Sequence, residues 1–173
     1  MNMRAVASIV VSLGLVATLS ACWQVEPYSY QPIPKEDTGM RLSEAKVITQ
    51  ATELDVAQII PAPLVRTVEQ NDKGSLLSCS DGGSHWAGHV ELTFVDQLDA
   101  VPILEAGASE WNAREGWGAE VDETADGAPR FTITGPGSSV YLMSLSLDGR
   151  SAHISSMSPC VEVMPGEVSG PWY

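Results

Sequence analysis

His85-Trp86-Ala87-Gly88-His89-Val90-Glu91-Leu92-Thr93-Phe94 carries the clearest alternation in the chain. Trp86, Val90, Leu92 and Phe94 share one parity, with Gly88 between them. His85, His89, Glu91 and Thr93 share the other. A pleated strand sends successive side chains to opposite faces, so the first set is expected on a core and the second toward water.

Similar signals lie downstream. Ala119 to Glu123, Arg130 to Thr134, Val140 to Leu147 and Ala152 to Met157 read as four further strands. Their turns are Asp126-Gly127, Gly135-Pro136-Gly137 and Asp148-Gly149. Glycine after aspartate suits the positive φ of a tight hairpin. Val140 and Leu142 make the third of these strands apolar on both sides, which suggests a central position. Ser158-Pro159-Cys160 then closes the domain, with Val161, Val163 and Met164 able to extend the last strand.

Upstream, Leu64 to Glu69 and Ser75 to Ser80 read as two strands around the turn Asn71-Asp72-Lys73-Gly74. A helix is expected from Ser43 to about Gln58, with Ser43 as N-cap and Glu44 in the first turn. Val47, Ala51, Leu54 and Gln58 fall on one helical stripe, flanked by Ala45 and Ile48; Thr49, Gln50, Glu53 and Asp55 lie toward the other side. Pro61 and Pro63 end it. A second helix follows Asp99 as cap, with Pro102 early and Val101, Leu104, Ala108 and Trp111 at helical spacing. Gly116 is its C-terminal cap, placing Trp117 just beyond. The resulting expectation is α+β: an antiparallel sheet of about five to six strands with both helices packed on one face.

The chain has 173 residues, nine Lys and Arg against 22 Asp and Glu, and three cysteines. Met1-Asn2-Met3-Arg4 precedes an apolar run from Ala5 to Leu19, the layout of a secretory signal. The run is short for a bilayer span, which takes about 20 residues. Leu19-Ser20-Ala21-Cys22 resembles the lipobox of bacterial lipoproteins. That resemblance implies cleavage before Cys22 and a diacylglycerol on its thiol, so that acyl chains of the palmitate class hold the protein on the extracytoplasmic face of the cell membrane. Two acyl chains suffice for stable anchoring where one is marginal. Residues 1–21 would be signal, 22–40 an extended tether rich in proline (Pro27, Pro32, Pro34), 41–164 one domain and 165–173 a tail.

Losing Arg4 with the signal leaves eight basic residues against 22 acidic, a mature net charge near −14. That argues against nucleic-acid binding and against flat adhesion to anionic lipid, both of which need basic patches. With Cys22 taken by lipid, Cys79 and Cys160 form an even pair suited to an oxidising compartment. A disulfide is the first reading; a zinc site or a catalytic thiol stays open beside it.

The layout also resembles a broad group of small lipoproteins of high-GC Gram-positive bacteria. The carrying features are the lipobox, the early helix, Leu77-Ser78-Cys79, Trp111 through Trp117, and Ser158-Pro159-Cys160. The resemblance implies a cysteine pair linking an early strand to the last one, and it implies no activity.

Catalytic patterns are weak. There is no Gly-x-Ser-x-Gly elbow, no Gly-x-Gly-x-x-Gly and no Walker loop. Asp122, Glu123 and Asp126-Gly127 lack the full spacing of a calcium loop and read as a hairpin tip. His85 and His89, with Glu91 beyond and Asp81 and His153 as further candidates, suggest a metal or small-ligand site. Two residues four apart on a strand are separated by roughly 13 Å, too far for one ion unless the strand bends. Trp86, Trp111 and Trp117 lie in core-like phases, Trp23 beside the lipid, and Trp172 and Tyr173 could fold back. No cofactor, resident metal or catalytic residue is assigned. The functional expectation is a lipid-anchored, non-enzymatic binding or interaction module of the cell envelope. Its partners would be the membrane, through Cys22, and an envelope protein or small ligand. A small-ligand or metal-binding lipoprotein using His85 and His89 is the alternative, and an envelope hydrolase the third reading.

Overall fold

Alternation and turn chemistry fold the chain into seven antiparallel strands with two helices on one face, seen in a computed structural model that describes residues 39–80, 82–168 and 173. The expected signal segment, the lipobox-like stretch with Cys22, Trp23, the expected tether as far as residue 38, Asp81 and Trp172 lie outside the described residues. Helix α1 spans Leu42–Ala57 and α2 spans Val101–Asn112. The strands are β1 (Val65–Gln70), β2 (Ser75–Ser78), β3 (Ser84–Phe94), β4 (Gly118–Glu123), β5 (Pro129–Gly135), β6 (Ser139–Leu145) and β7 (Ser151–Met157). The order across the sheet is β1-β3-β7-β6-β5-β4, and β2 also pairs β3.

β1 covers Val90 to Phe94 of β3, and β2 covers Ala87 back to Ser84. The two therefore lie end to end on the same edge of one long strand, and seven strands make a sheet six positions wide. β4 through β7 form the expected meander, each joined to the next by a hairpin. β6 and β7 take the centre. This accounts for the apolar residues on both faces of β6.

The inward parity of each strand builds one core. Val90, Leu92 and Phe94 of β3 join Phe131, Ile133, Tyr141, Met143, Ala152 and Ile154, roofed by Val56 and Ala57 of α1 and by Leu104 and Trp111 of α2. A smaller cluster holds Leu42, Ala45, Trp86 and Val161, with Met40 and Tyr173 against it. Tyr173 exchanges two backbone hydrogen bonds with Gly74, and the Trp86 indole donates to its oxygen at 3.0 Å. The last residue thus does fold back on the sheet edge.

Several local expectations need correction. Neither Ser43 nor Asp99 is an N-cap: the caps are Arg41 and Ala100, and Ser43 sits inside the first turn. Glu44 still serves that turn, accepting the Arg41 backbone N–H at 3.0 Å. Gly116 has φ +77° but lies beyond the cap residue Ala113, in the turn that feeds β4.

The largest correction concerns α1. Val47, Ala51 and Leu54 face outward, with Ile48 beside them; Val47 is 65 % exposed. The buried side is Leu42, Ala45, Thr49, Thr52, Glu53, Val56 and Ala57. The helix is therefore turned about half a revolution from the expected orientation. The sheet beneath it explains the choice. Gly88 leaves a gap there: a Cβ on it would meet the Trp86 ring and come within 2.5 Å of Glu53 Oε1. Small and polar residues on α1 can approach that spot, where Gln70 of β1 and Ser156 of β7 donate to Glu53.

Candidate functional site

With both helices on one side, the opposite face of the sheet is uncovered, and the histidines stand on it. Register pairs Glu91 with His153 and His89 with Ser155 across β3 and β7. His153 Nδ1 lies 2.7 Å from Glu91 Oε1, and His153 Nε2 lies 2.9 Å from Ser155 Oγ. The His89 ring stacks on His153 with centroids 5.5 Å apart, and Asn71 Nδ2 lies 3.4 Å from His89 Nε2. If Nδ1–H donates to the carboxylate, Nε2 can accept from the serine hydroxyl. This is the polarity of a serine–histidine–carboxylate relay.

Acyl transfer also needs donors for the developing oxyanion. Ser155 sits on a central strand, in register with His89 on one side and Leu142 on the other, so its backbone is committed to the ladder. Glu91 and His153 are about half exposed, where water screens their interaction. Among the described residues, the cluster offers proton transfer without a preorganised anion site. Two shallow grooves of about 390 and 430 Å3 flank His89 and share Asn71 and Lys73.

His85 does not join this cluster. It stands four residues away on β3, opposite Leu77 of β2, and its Nδ1 lies 2.7 Å from the Ser158 carbonyl oxygen. Its neighbours are Cys79 and Cys160, which are joined by a disulfide with Cα atoms 6.3 Å apart. The staple ties the end of β2 to the segment after β7, where Ser84 and Val161 exchange backbone hydrogen bonds. The histidine pair expected to act as one site is thus split between two neighbourhoods, as the rise of a regular strand requires.

The acidic hairpin is occupied by its own chain. Asp122 pairs with Arg130 across β4 and β5, through Nε at 2.9 Å and a second contact from Nη2. Asp126 accepts the Thr124 hydroxyl, and these partners hold both carboxyls below their usual range. The aromatic residues serve packing. Trp111 meets Trp117 edge-on at 4.8 Å, Arg114 caps Trp111 at 3.9 Å, and the Trp117 ring lies over Gly135.

Sequence reasoning missed two features. The first is a buried polar seam under α1. Glu53 is fully buried, accepts from Gln70 Nε2 at 2.7 Å, and also accepts from the Ser156 hydroxyl. Burial pushes its carboxyl above the ordinary value of 4.5, against the pull of these bonds and of nearby His89. The Tyr141 hydroxyl faces Thr52, Thr49 and Ser139 in the same seam, and burial raises its pKa too. The available signal was Glu53 followed by Val56 and Ala57, a second apolar stripe half a turn from the first. The second missed feature is the outward apolar stripe of α1, beside a cavity of about 560 Å3 lined by Gly39, Met40, Ser43, Glu44, Val47 and Ile48. Among the described residues no helix is long and apolar enough to cross a membrane.

No protein-family model, curated protein or solved structure matches the chain.

Proposed function

We propose that this chain is a lipid-anchored extracytoplasmic lipoprotein whose domain is a non-enzymatic binding module for another protein of the cell envelope. Leu19-Ser20-Ala21-Cys22 after an apolar run supports the anchor, and the Cys79–Cys160 disulfide suits the compartment. The observation that carries the binding role is the orientation of α1. Val47, Ile48, Ala51 and Leu54 stand outward while Thr49, Thr52 and Glu53 are buried. Apolar side chains gathered on one exposed helix face mark an interaction surface when they are contiguous.

Charge selects the partner. Exposed Glu44 and Asp55 flank the stripe, and the whole chain carries a net charge of −13. An anionic bilayer would repel this face. A protein offering an apolar strip rimmed by lysine or arginine complements it. A photo-crosslinking residue at Val47 in intact cells should give one discrete adduct that disappears in Leu54→Asp. The same probe at exposed Glu120 should give none. Equal capture at both positions, or none at Val47, refutes the binding surface. Anchoring is checked separately: Cys22→Ala should move the protein from membrane to medium, and a variant that stays in the membrane fraction refutes lipidation.

A second reading, a small-ligand lipoprotein, draws on the grooves beside His89. A thermal-shift panel of metals and sugars should then show a stabilising ligand whose effect is lost in His89→Ala and kept in His85→Ala, since His85 stands outside the grooves.

A further inference from the structure

Cys79, His85 and Cys160 come together from three parts of the chain: the residue after β2, the start of β3 and the segment after β7. One donor atom from each lies within 4.8 Å of the others. All three residues are half-buried, accessible to a small solute without being solvated on every side. Among the described residues this is the one group of three histidine, cysteine or acidic side chains gathered so closely.

The surroundings orient these donors. A carbonyl oxygen only accepts, so the His85 Nδ1 that meets Ser158 O carries the proton. A neutral ring then keeps its lone pair on Nε2. An outer hydrogen bond from the far ring nitrogen to a carbonyl is how metal-binding histidines are usually held. Gly83 lies against the cysteines: its carbonyl oxygen accepts from the Cys79 backbone N–H at 3.0 Å, and a Cβ on it would stand 3.0 Å from Cys160 Sγ. The backbone therefore comes up against the sulfur and leaves no room for a larger residue.

We infer that these three residues are a redox-gated site for a thiophilic d10 cation, closed by the disulfide and opened by its reduction. A dithiol supplies two electrons and two protons to the Sγ–Sγ bond. That bond breaks, two thiols form, and the dithiol leaves as its cyclic disulfide. On metal binding both thiol protons pass to solvent, and two thiolates and one imidazole nitrogen coordinate the ion. Zinc bonds of about 2.3 Å to sulfur and about 2.0 Å to nitrogen bring donors of one tetrahedron within about 4 Å. Reduction frees the two sulfurs, bonded to each other in the oxidised form, to separate to that spacing. The fourth position is left to water or a ligand. This inference is independent of the anchor and of the α1 surface, since its test removes Cys22 and leaves α1 intact.

The test uses the full chain carrying Cys22→Ala, reduced with a dithiol and freed of it under inert gas. Zinc is titrated against a chromophoric chelator, and Co2+ reports thiolate coordination by its near-ultraviolet charge-transfer band. The reduced chain should bind one equivalent and the oxidised chain none. His85→Ala should weaken binding by at least about tenfold, the scale on which even an outer hydrogen-bond partner is felt. Asp126→Asn, on a separate hairpin, should bind as the parent does. Equal binding by both redox forms overturns the inference. So does an unchanged affinity in His85→Ala, or an equal loss in Asp126→Asn. Circular dichroism before and after reduction guards the fold: loss of the sheet that zinc does not restore also overturns it, because strand register is what assembles the donors.

Discussion

Glu53 shows how one buried acid orients an element. Its carboxylate receives Gln70 and Ser156, from β1 and β7, and Gln70 Nε2 also donates to the Gln50 carbonyl at 2.7 Å. The glutamate thereby links α1 to strands on either side of β3. Because burial raises its folded pKa above 4.5, the folded state holds the proton more tightly than the unfolded chain does. Stability from this group is therefore full below the unfolded value and declines as pH rises through the folded one. Urea unfolding of the parent should weaken over that window. In Glu53→Gln the decline should be absent, with a pH-independent loss of about 1 kcal/mol from the mismatched amide. A variant-minus-parent difference that stays constant from pH 4 to 7 would contradict this account. The residue type was plain in the sequence. Its partners were not, since they come from positions 17 and 103 residues away.

For α1 as an element, two stripes competed. Val47, Ala51 and Leu54 made the stronger apolar face by residue type. Leu42, Ala45, Val56 and Ala57 lay on the other, interrupted by Thr49, Thr52 and Glu53. Hydrophobicity alone favours the first by about 25 cal/mol for each Å2 buried. The second won because its small side chains fit over Gly88 and its one charged group, Glu53, receives hydrogen bonds from β1 and β7, while Thr52 donates to the Ile48 carbonyl of its own helix. The energetic consequence can be measured. Val47→Ser and Leu54→Ser should each change the unfolding free energy by no more than about 0.5 kcal/mol. Val56→Ala, in the core, should cost roughly 2 kcal/mol. The reverse ranking would mean that α1 packs the other way round. In contrast, α2 followed most of its pattern: Leu104 and Trp111 are buried and Ala108 partly so at the expected spacing, while Val101 in the first turn is 42 % exposed.

The molecule as a whole depends on its one described cross-link. Cys79 and Cys160 are 81 residues apart, and closing a loop of that size is worth about 4 to 5 kcal/mol on the chain-entropy model. A domain of this size has only about 5 to 15 kcal/mol in total. Cys79→Ser with Cys160→Ser, in a Cys22→Ala background, should therefore lower the unfolding free energy by about 4 kcal/mol and leave a folded but marginal domain. A change under about 1 kcal/mol would show that the strand ladder alone holds the two ends of the sheet together.

Period-two alternation, Gly-containing turns and proline stops are local, and they marked both helices and all seven strands to within a few residues. The meander and its central apolar strand follow from short hairpin links, which leave neighbours little choice but to pair. The cysteine count pointed to the staple for a similar reason, because three thiols, with one set aside for the lipobox that Leu19-Ser20-Ala21-Cys22 resembles, leave a single pair. Contacts between distant segments are a different matter. Which side of α1 faces inward depends on Gly88, Gln70 and Ser156. Which histidine meets which partner depends on the register of β3 against β2 and β7. These are properties of assembled surfaces, where a polar side chain is cheap to bury once donors stand opposite it, and no pattern within one segment carries that information.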